Sequence, residues 1–257
     1  MHISFKNGAI PHFNDSATGI AYPTKWLSDY AAALGIEKIN LPLSVSGYRT
    51  KTTSTYECKI DFAQIGPSYQ PGHAHADTLS FILYHRGKPL LVEQGTSTYD
   101  IGAKRTEERS TKAHNTVVVN NQNQSEVWSG FRVAKRAQTI ILEDQPDFIK
   151  AKHDGYKNLG AEHSRSFEFS ADKIIIQDEL SNNKSGVAYF HLYPDWEIKR
   201  LKEDLFELKE EVQIKFTNFA EIQIEEYQMA DGYYQYRTGK LFRVSFTGQL
   251  TTSLLLK

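Results

Sequence analysis

Cysteine occurs once in the 257 residues, at Cys58, so the chain cannot build an internal disulfide framework or a multi-thiolate zinc or iron–sulfur centre. Any metal is left to histidine and carboxylate ligands. Long apolar runs are missing too. No window approaches the roughly 18 apolar residues of a membrane-spanning helix, so no membrane insertion is expected. The opening Met1-His2-Ile3-Ser4-Phe5-Lys6 has no signal-peptide core, which leaves a cytosolic chain or an export signal outside this stretch. There is no excess of one charge: 30 Lys and Arg stand against 31 Asp and Glu, a formal net charge of −1. A nucleic-acid groove or an anionic membrane surface would need a basic excess or a basic run, so neither is the expected partner. Internal repeats, low-complexity tracts and linkers rich in Gly, Ser or Pro are also lacking.

What is present is an ordinary globular composition, 40% hydrophobic and 24% charged. One helix is announced. Pro23-Thr24 starts it, Trp26, Leu27, Tyr30 and Leu34 share a face, and Gly35 stops it. β patterns follow. Tyr56, Cys58, Ile60 and Phe62 alternate with Thr55, Glu57, Lys59 and Asp61, the period of a half-buried strand. Further runs are Leu79–Tyr84, Leu90–Glu93, Thr116–Asn120, Ala137–Leu142, Phe148–His153, His163–Phe169, Ile174–Leu180, Ala188–Leu192, Leu205–Leu208, Val212–Phe216, Ile222–Tyr227, Leu241–Phe246 and Thr251–Leu256. Turn-forming clusters such as Arg86-Gly87-Lys88-Pro89 and Asn182-Asn183-Lys184-Ser185-Gly186 separate most of them. Nothing between the strands is helical enough for crossovers. The expectation is an all-β fold, a large antiparallel two-sheet β-sandwich of the supersandwich type over residues 46–257, preceded by a short helical lead-in over 1–45.

Residue types with catalytic use crowd into residues 72–137. In GHAHADTLSF, residues 72–81, His73 and His75 are two apart, so on extended backbone both imidazoles project to one side. That spacing suits two metal ligands, or one ligand beside one proton-transfer group, and it also occurs in plain surface histidines. Asp77 follows at the same parity. In VEQGTSTYDIG, residues 92–102, an apolar run ends on Glu93 and breaks at Gly95. A carboxylate there is costly unless paired or metal-bound, and Arg105 or Arg109 could equally be its partner. In RSTKAHNTVVV, residues 109–119, His114 stands at the mouth of a β-branched strand. His75, Glu93 and His114 together supply two imidazoles and a carboxylate, a common zinc set. In a cupin-type jelly roll the carboxylate follows the His-x-His pair within a few residues, and Glu93 is too far downstream. No G-x-S-x-G elbow occurs, and Cys58 lies inside an alternating strand as a core thiol.

These three clusters, followed by NQSEVWSGFRVAKRA at residues 123–137, resemble the heparinase II/III family of polysaccharide lyases, specifically its C-terminal β-sandwich domain. His191-Leu192-Tyr193-Pro194 and Phe13-Asn14-Asp15-Ser16 match more weakly. Alginate lyases of a sister group share the architecture. The resemblance implies an enzyme with an N-terminal α/α toroid packed on the sandwich and an acidic polysaccharide in the cleft between them. It implies β-elimination: a base removes the C5 proton of a uronic acid and the C4 glycosidic oxygen leaves. His73 then serves proton transfer or charge neutralisation. His75, Glu93 and His114 match the metal positions, with structural Zn2+ expected, although the family more often carries Asp where Glu93 stands. Tyr99, Arg105 and Arg109 fall in the cleft-lining segment and could hold uronate carboxylates or sulfates. A complete enzyme also needs the toroid, in cis or in trans, for which residues before 72 leave no room. Residues 1–45 are accordingly expected to be a connector from the toroid, and a periplasmic or secreted compartment is implied. The alternative is a non-catalytic glycan-binding or structural module.

Overall fold

The computed structural model describes residues 3–37, 39 and 43–257. The parts of the expected lead-in at residues 1–2, 38 and 40–42 lie outside the described residues.

The helix forms where Pro23 and Gly35 bracket it, as Thr24–Ala33 (α1), but none of its residues is buried. Its aromatic side chains instead stack in a row with Tyr22 just before it, Tyr22 on Trp26 and Trp26 on Tyr30 at 4.2 and 5.4 Å between centroids. The first sheet is antiparallel and follows chain order: Tyr48–Thr52 (β1), Tyr56–Asp61 (β2), Phe81–His85 (β3) and Lys88–Leu91 (β4). After a short helix at Ala103–Glu108 (α2) come Val117–Val118 (β5) and a small ribbon of Val127–Trp128 (β6) and Arg132–Val133 (β7). Then follow Thr139–Asp144 (β8), Phe148–His153 (β9), His163–Phe169 (β10), Lys173–Leu180 (β11), Ser185–His191 (β12), Ile198–Arg200 (β13), Leu205–Leu208 (β14), Val212–Gly232 (β15) and Gln235–Leu256 (β16). The large sheet runs β13-β14-β15-β16-β11-β10-β9-β8, with β12 beside the first half of β16 and β5 beside β12.

The two sheets close over one apolar core, to which the first contributes Tyr56, Cys58, Ile60, Phe81 and Leu83 and the second Phe167, Ile176, Phe190, Phe242 and Phe246. Cys58 is fully buried there, and burial pushes its thiol pKa well up, as expected of a core thiol. The two-sheet sandwich expected from the strand pattern is thus the observed fold.

Two expectations change. β2 is buried on both faces, not one. Its outward residues meet the N-terminal segment: the Lys6 backbone N–H donates to the Glu57 carboxylate at 3.0 Å, and Lys59 Nζ lies over the Phe5 ring, which stacks on Tyr84 at 3.6 Å. Much of the lead-in is therefore irregular chain packed on the sandwich. Secondly, the four short strands expected after Val212 are two long ones. β15 carries register shifts between Thr217 and Phe219 and again between Phe219 and Glu221, so its alternation breaks while pairing continues.

Candidate functional site

The site forms where the N-terminal segment, the loop 72–80 between β2 and β3, the loop 92–99 after β4 and the turn 109–116 meet. Backbone hydrogen bonds stitch these loops together, Gln94 N–H to Ala113 O and Ala76 N–H to Arg109 O, both at 3.0 Å. Asn115 pins them to the sheets. Its amide donates to Phe81 O and Val92 O, and its carbonyl accepts the His191 backbone N–H at 2.7 Å.

Asp15 is the hub. Its Oδ2 lies 2.9 Å from His73 Nδ1 and its Oδ1 lies 2.8 Å from His75 Nε2. The same two oxygens accept both terminal nitrogens of Arg105, Nη2 at 2.7 Å and Nη1 closer still. Burial would push this carboxyl up, but hydrogen bonds and charge from His75 and Arg105 outweigh it and hold it well below the usual range. An ionised carboxylate only accepts hydrogen bonds, so each histidine points a ring N–H at Asp15. His73 keeps Nε2 free on a side chain that is 68% exposed. Its ring edges against Tyr99 and Phe131. Two grooves flank Pro71-Gly72-His73, one of about 720 Å³ lined by Asn14, Tyr48, Gln64 and His73, the other of about 750 Å³ lined by Tyr99, Phe131 and Arg132.

Behind His73 lies a fully enclosed set of ligand-type side chains. Asp77, Glu93 and His114 each present an atom within 4.8 Å of the others. His114 Nδ1 lies 2.7 Å from Glu93 Oε2, and the His75 and His114 rings are 5.3 Å apart. Four buried atoms here have no hydrogen-bond partner: His75 Nδ1, Asp77 Oδ2, Glu93 Oε1 and His114 Nε2. Orphaned buried polar atoms are costly, and Asp77, Glu93 and His114, close enough to share one ion with the His75 ring beside them, are donor types that a divalent cation takes. Burial pushes the Asp77 and Glu93 carboxyls well up and lowers the His75 and His114 imidazoles to about 3 and about 4. Asp61, also enclosed, is raised to about 8 by burial and by Glu93. Three carboxyls sharing one dry space favour a cation among them.

Of the expected residues, the structure brings Glu93 and His114 together and sets His75 beside them, turned partly toward Asp15. Tyr99 is half-buried at the groove, its hydroxyl donating to Asp15 O at 3.3 Å. Arg105 and Arg109 differ from expectation: both are fully buried, not exposed along a cleft. Arg105 is committed to Asp15 and Gly130 O, with Tyr99 and Phe131 at 5.2 and 5.3 Å from its guanidinium. Arg109 is ringed by backbone carbonyls, among them Ala74 O at 2.9 Å and Gly130 O at 3.2 Å. Asp15 and Asp77 were not among the expected site residues. Asp77 shares the parity of His75, and Asp15 lies in the weakly matching Phe13-Asn14-Asp15-Ser16, the signals that point to them.

A double-sheet sandwich carries an exposed, carboxylate-held histidine over an enclosed His/carboxylate cluster. The chain belongs to the heparinase II/III-like C-terminal family, whose model matches residues 41–254. A heparin-sulfate lyase of Bacteroides stercoris is 27% identical over 137 residues, 52% of this chain and 20% of that protein. Among solved structures, a heparan sulfate lyase from Pedobacter heparinus superposes with a TM-score of 0.73 at 17% identity, over 99% of this chain and 44% of that one. A heparinase III superposes with a TM-score of 0.70 at 18% identity, over 98% of this chain and 44% of that one. The chain thus spans less than half the length of these relatives.

Proposed function

We propose that this chain is the β-sandwich part of a polysaccharide lyase that cleaves uronic-acid-containing glycans by β-elimination. The observation that carries the reading is His73, an exposed imidazole fixed by a buried carboxylate between two grooves, with Nε2 free to exchange a proton. In the elimination the C5 proton passes to a base, its electron pair forms the C4–C5 double bond, and the C4–O bond breaks with the glycosidic oxygen taking a proton. The sandwich offers His73 Nε2 for that proton traffic or for hydrogen-bonding the enolate-like carboxylate. Tyr99 borders the second groove, its ring 6.3 Å from that of His73, and can orient the sugar. Arg105 and Arg109 act from inside, Arg105 by holding Asp15 and Arg109 by holding the 72–74 and 128–132 backbones.

His75, Glu93 and His114, joined by Asp77, would hold a divalent cation, Zn2+ by the imidazole content of the set. When bound it supplies neutralisation of the enclosed carboxylates and a brace for the loops beneath His73. An α/α toroid in cis or in trans supplies the opposite wall. The names of the matched relatives support heparan-type sulfated glycans as the first acidic substrates to try, and a periplasmic or extracellular setting is part of the proposal.

The test is release of unsaturated uronate, read as new ultraviolet absorbance, from a panel of acidic glycans. The chain is assayed alone and joined to a toroid domain. Activity that needs the toroid and falls at least about 100-fold in His73→Ala supports the reading. Glycan binding with no product in either form overturns it and leaves a binding module.

A further inference from the structure

We infer that Asp15 is a positioning residue that sets the tautomers of His73 and His75 in opposite senses and so couples the groove to the metal group; the inference rests on the proposed lyase reading for what that coupling serves. Asp15 reaches the site from the N-terminal segment, 58 residues before His73, and is almost fully buried. Its two oxygens are divided between the two histidines, and each oxygen also takes one nitrogen of Arg105. The paired guanidinium keeps the carboxylate charged and leaves it only an acceptor.

The consequence differs for the two rings because Asp15 meets opposite nitrogens. On His73 the proton sits on Nδ1, leaving the Nε2 lone pair toward the groove. On His75 it sits on Nε2, leaving a lone pair on Nδ1, which is buried without a hydrogen-bond partner on a ring 5.3 Å from that of His114. Without Asp15, two histidines in one loop have no reason to choose opposite tautomers. One carboxylate therefore prepares an outward base and an inward ligand together, and Arg105, itself enclosed by Tyr99 and Phe131, keeps that carboxylate from rotating. Thr96 Oγ1 donates to Asn14 O at 3.3 Å and so holds the segment bearing Asp15 to the loop after Glu93.

The experiment is long-range proton–nitrogen NMR on the metal-free full chain with ¹⁵N-labelled histidine at about pH 8, above the ordinary histidine pKa. His73→Gln and His75→Gln spectra assign the two rings. The expected spectrum has Nδ1 protonated on His73 and Nε2 protonated on His75. In Asp15→Asn the amide replaces one acceptor with a donor, so the His73 proton moves toward Nε2 and Zn2+ binding by the chain weakens about 10- to 100-fold. Arg105 left facing an uncharged partner could prevent that variant from folding, and the unmodified chain then decides alone. Equal tautomers on His73 and His75 in the folded unmodified chain overturn the inference. So does a folded Asp15→Asn chain with unchanged tautomers and unchanged Zn2+ affinity. No glycan enters these measurements, so opposite tautomers together with no product from the chain either alone or joined to a toroid would sink the lyase reading and leave this one standing.

Discussion

Two buried histidine–carboxylate–arginine clusters sit a few residues apart in this fold, and they are finished to different degrees. On β9–β11, the Gly155 backbone N–H donates to His153 Nδ1, His153 Nε2 lies 3.2 Å from His163 Nδ1, and His163 Nε2 lies 2.7 Å from Asp178 Oδ1. Arg165 closes the series with two bonds to Asp178 and two to the Leu79 and Asn115 carbonyls. Every nitrogen and oxygen has a partner and a determined role. Around His114 the same residue types leave four atoms unpaired. A satisfied polar network contributes rigidity, while an unsatisfied one is a cost tolerated where something binds. The first supports the second: Arg165 grips Leu79 O, next to Thr78 and Asp77, and Leu79 holds a φ of 64° that a branched side chain rarely adopts.

The largest effect expected from breaking this contrast is in the finished cluster. Asp178→Ala strands the fully buried Arg165 charge and should cost about 3–5 kcal/mol, read by chemical denaturation. A loss below about 1 kcal/mol would mean the cluster is relaxed or hydrated, and the comparison would fail.

In the unfinished cluster the expected change has the opposite sign, because here something can be added. Zn2+ at about 100 times its dissociation constant should stabilise the chain by about 2.7 kcal/mol. At about 2–4 °C per kcal/mol for a chain of this size, melting rises by several degrees, and chelator reverses it. His114→Ala should abolish the shift. An equal shift in that variant would move the metal elsewhere, and no shift in the unmodified chain would leave the four orphaned atoms without an occupant.

Much of this was legible in the sequence where the signal is local. Phe148–His153, His163–Phe169 and Leu205–Leu208 are strands over the expected residues because each has clean alternation between turns. The His-x-His spacing does bring both rings to one carboxylate, but around a turn at residues 72–73 and not on the expected extended backbone, with His73 exposed and His75 buried. What escaped is non-local. Nothing near Asp15 announces that it meets His73, and its partners lie 58 to 90 residues away. Arg105 and Arg109 look like surface residues by type, and only the fold shows the carbonyls and the carboxylate that make their burial tolerable. Asp178 occupies an inward position between Ile176 and Leu180, where alternation alone would place an apolar residue. The Thr217–Glu221 irregularity reads as a strand end, because alternation fails at a bulge while hydrogen bonding does not.

The smallest effect sharpens the account of the finished cluster through pH. Burial lowers the His153 and His163 imidazoles below their ordinary value, and for His163 it outweighs the raising influence of Asp178. Their folded forms therefore bind protons more weakly than the unfolded chain does. Stability from this source is complete above about pH 6.5, the unfolded value, and is lost as pH falls below it, at no more than about 1.4 kcal/mol per pH unit for each ring. Asp178 adds a second, more acid window. The bonds of Arg165 and His163 overcome its burial and hold it at about 2, so its contribution is present above the ordinary carboxylate range and disappears as pH falls toward 2. His163→Gln keeps a donor for Asp178 and an acceptor for His153 but cannot titrate. Its stability should fall less steeply than that of the unmodified chain between about pH 6.5 and 5, measured by urea denaturation at fixed Zn2+. Parallel curves for the two proteins would show that His163 is already hydrated in the folded state, and the cluster would then be as unfinished as its neighbour.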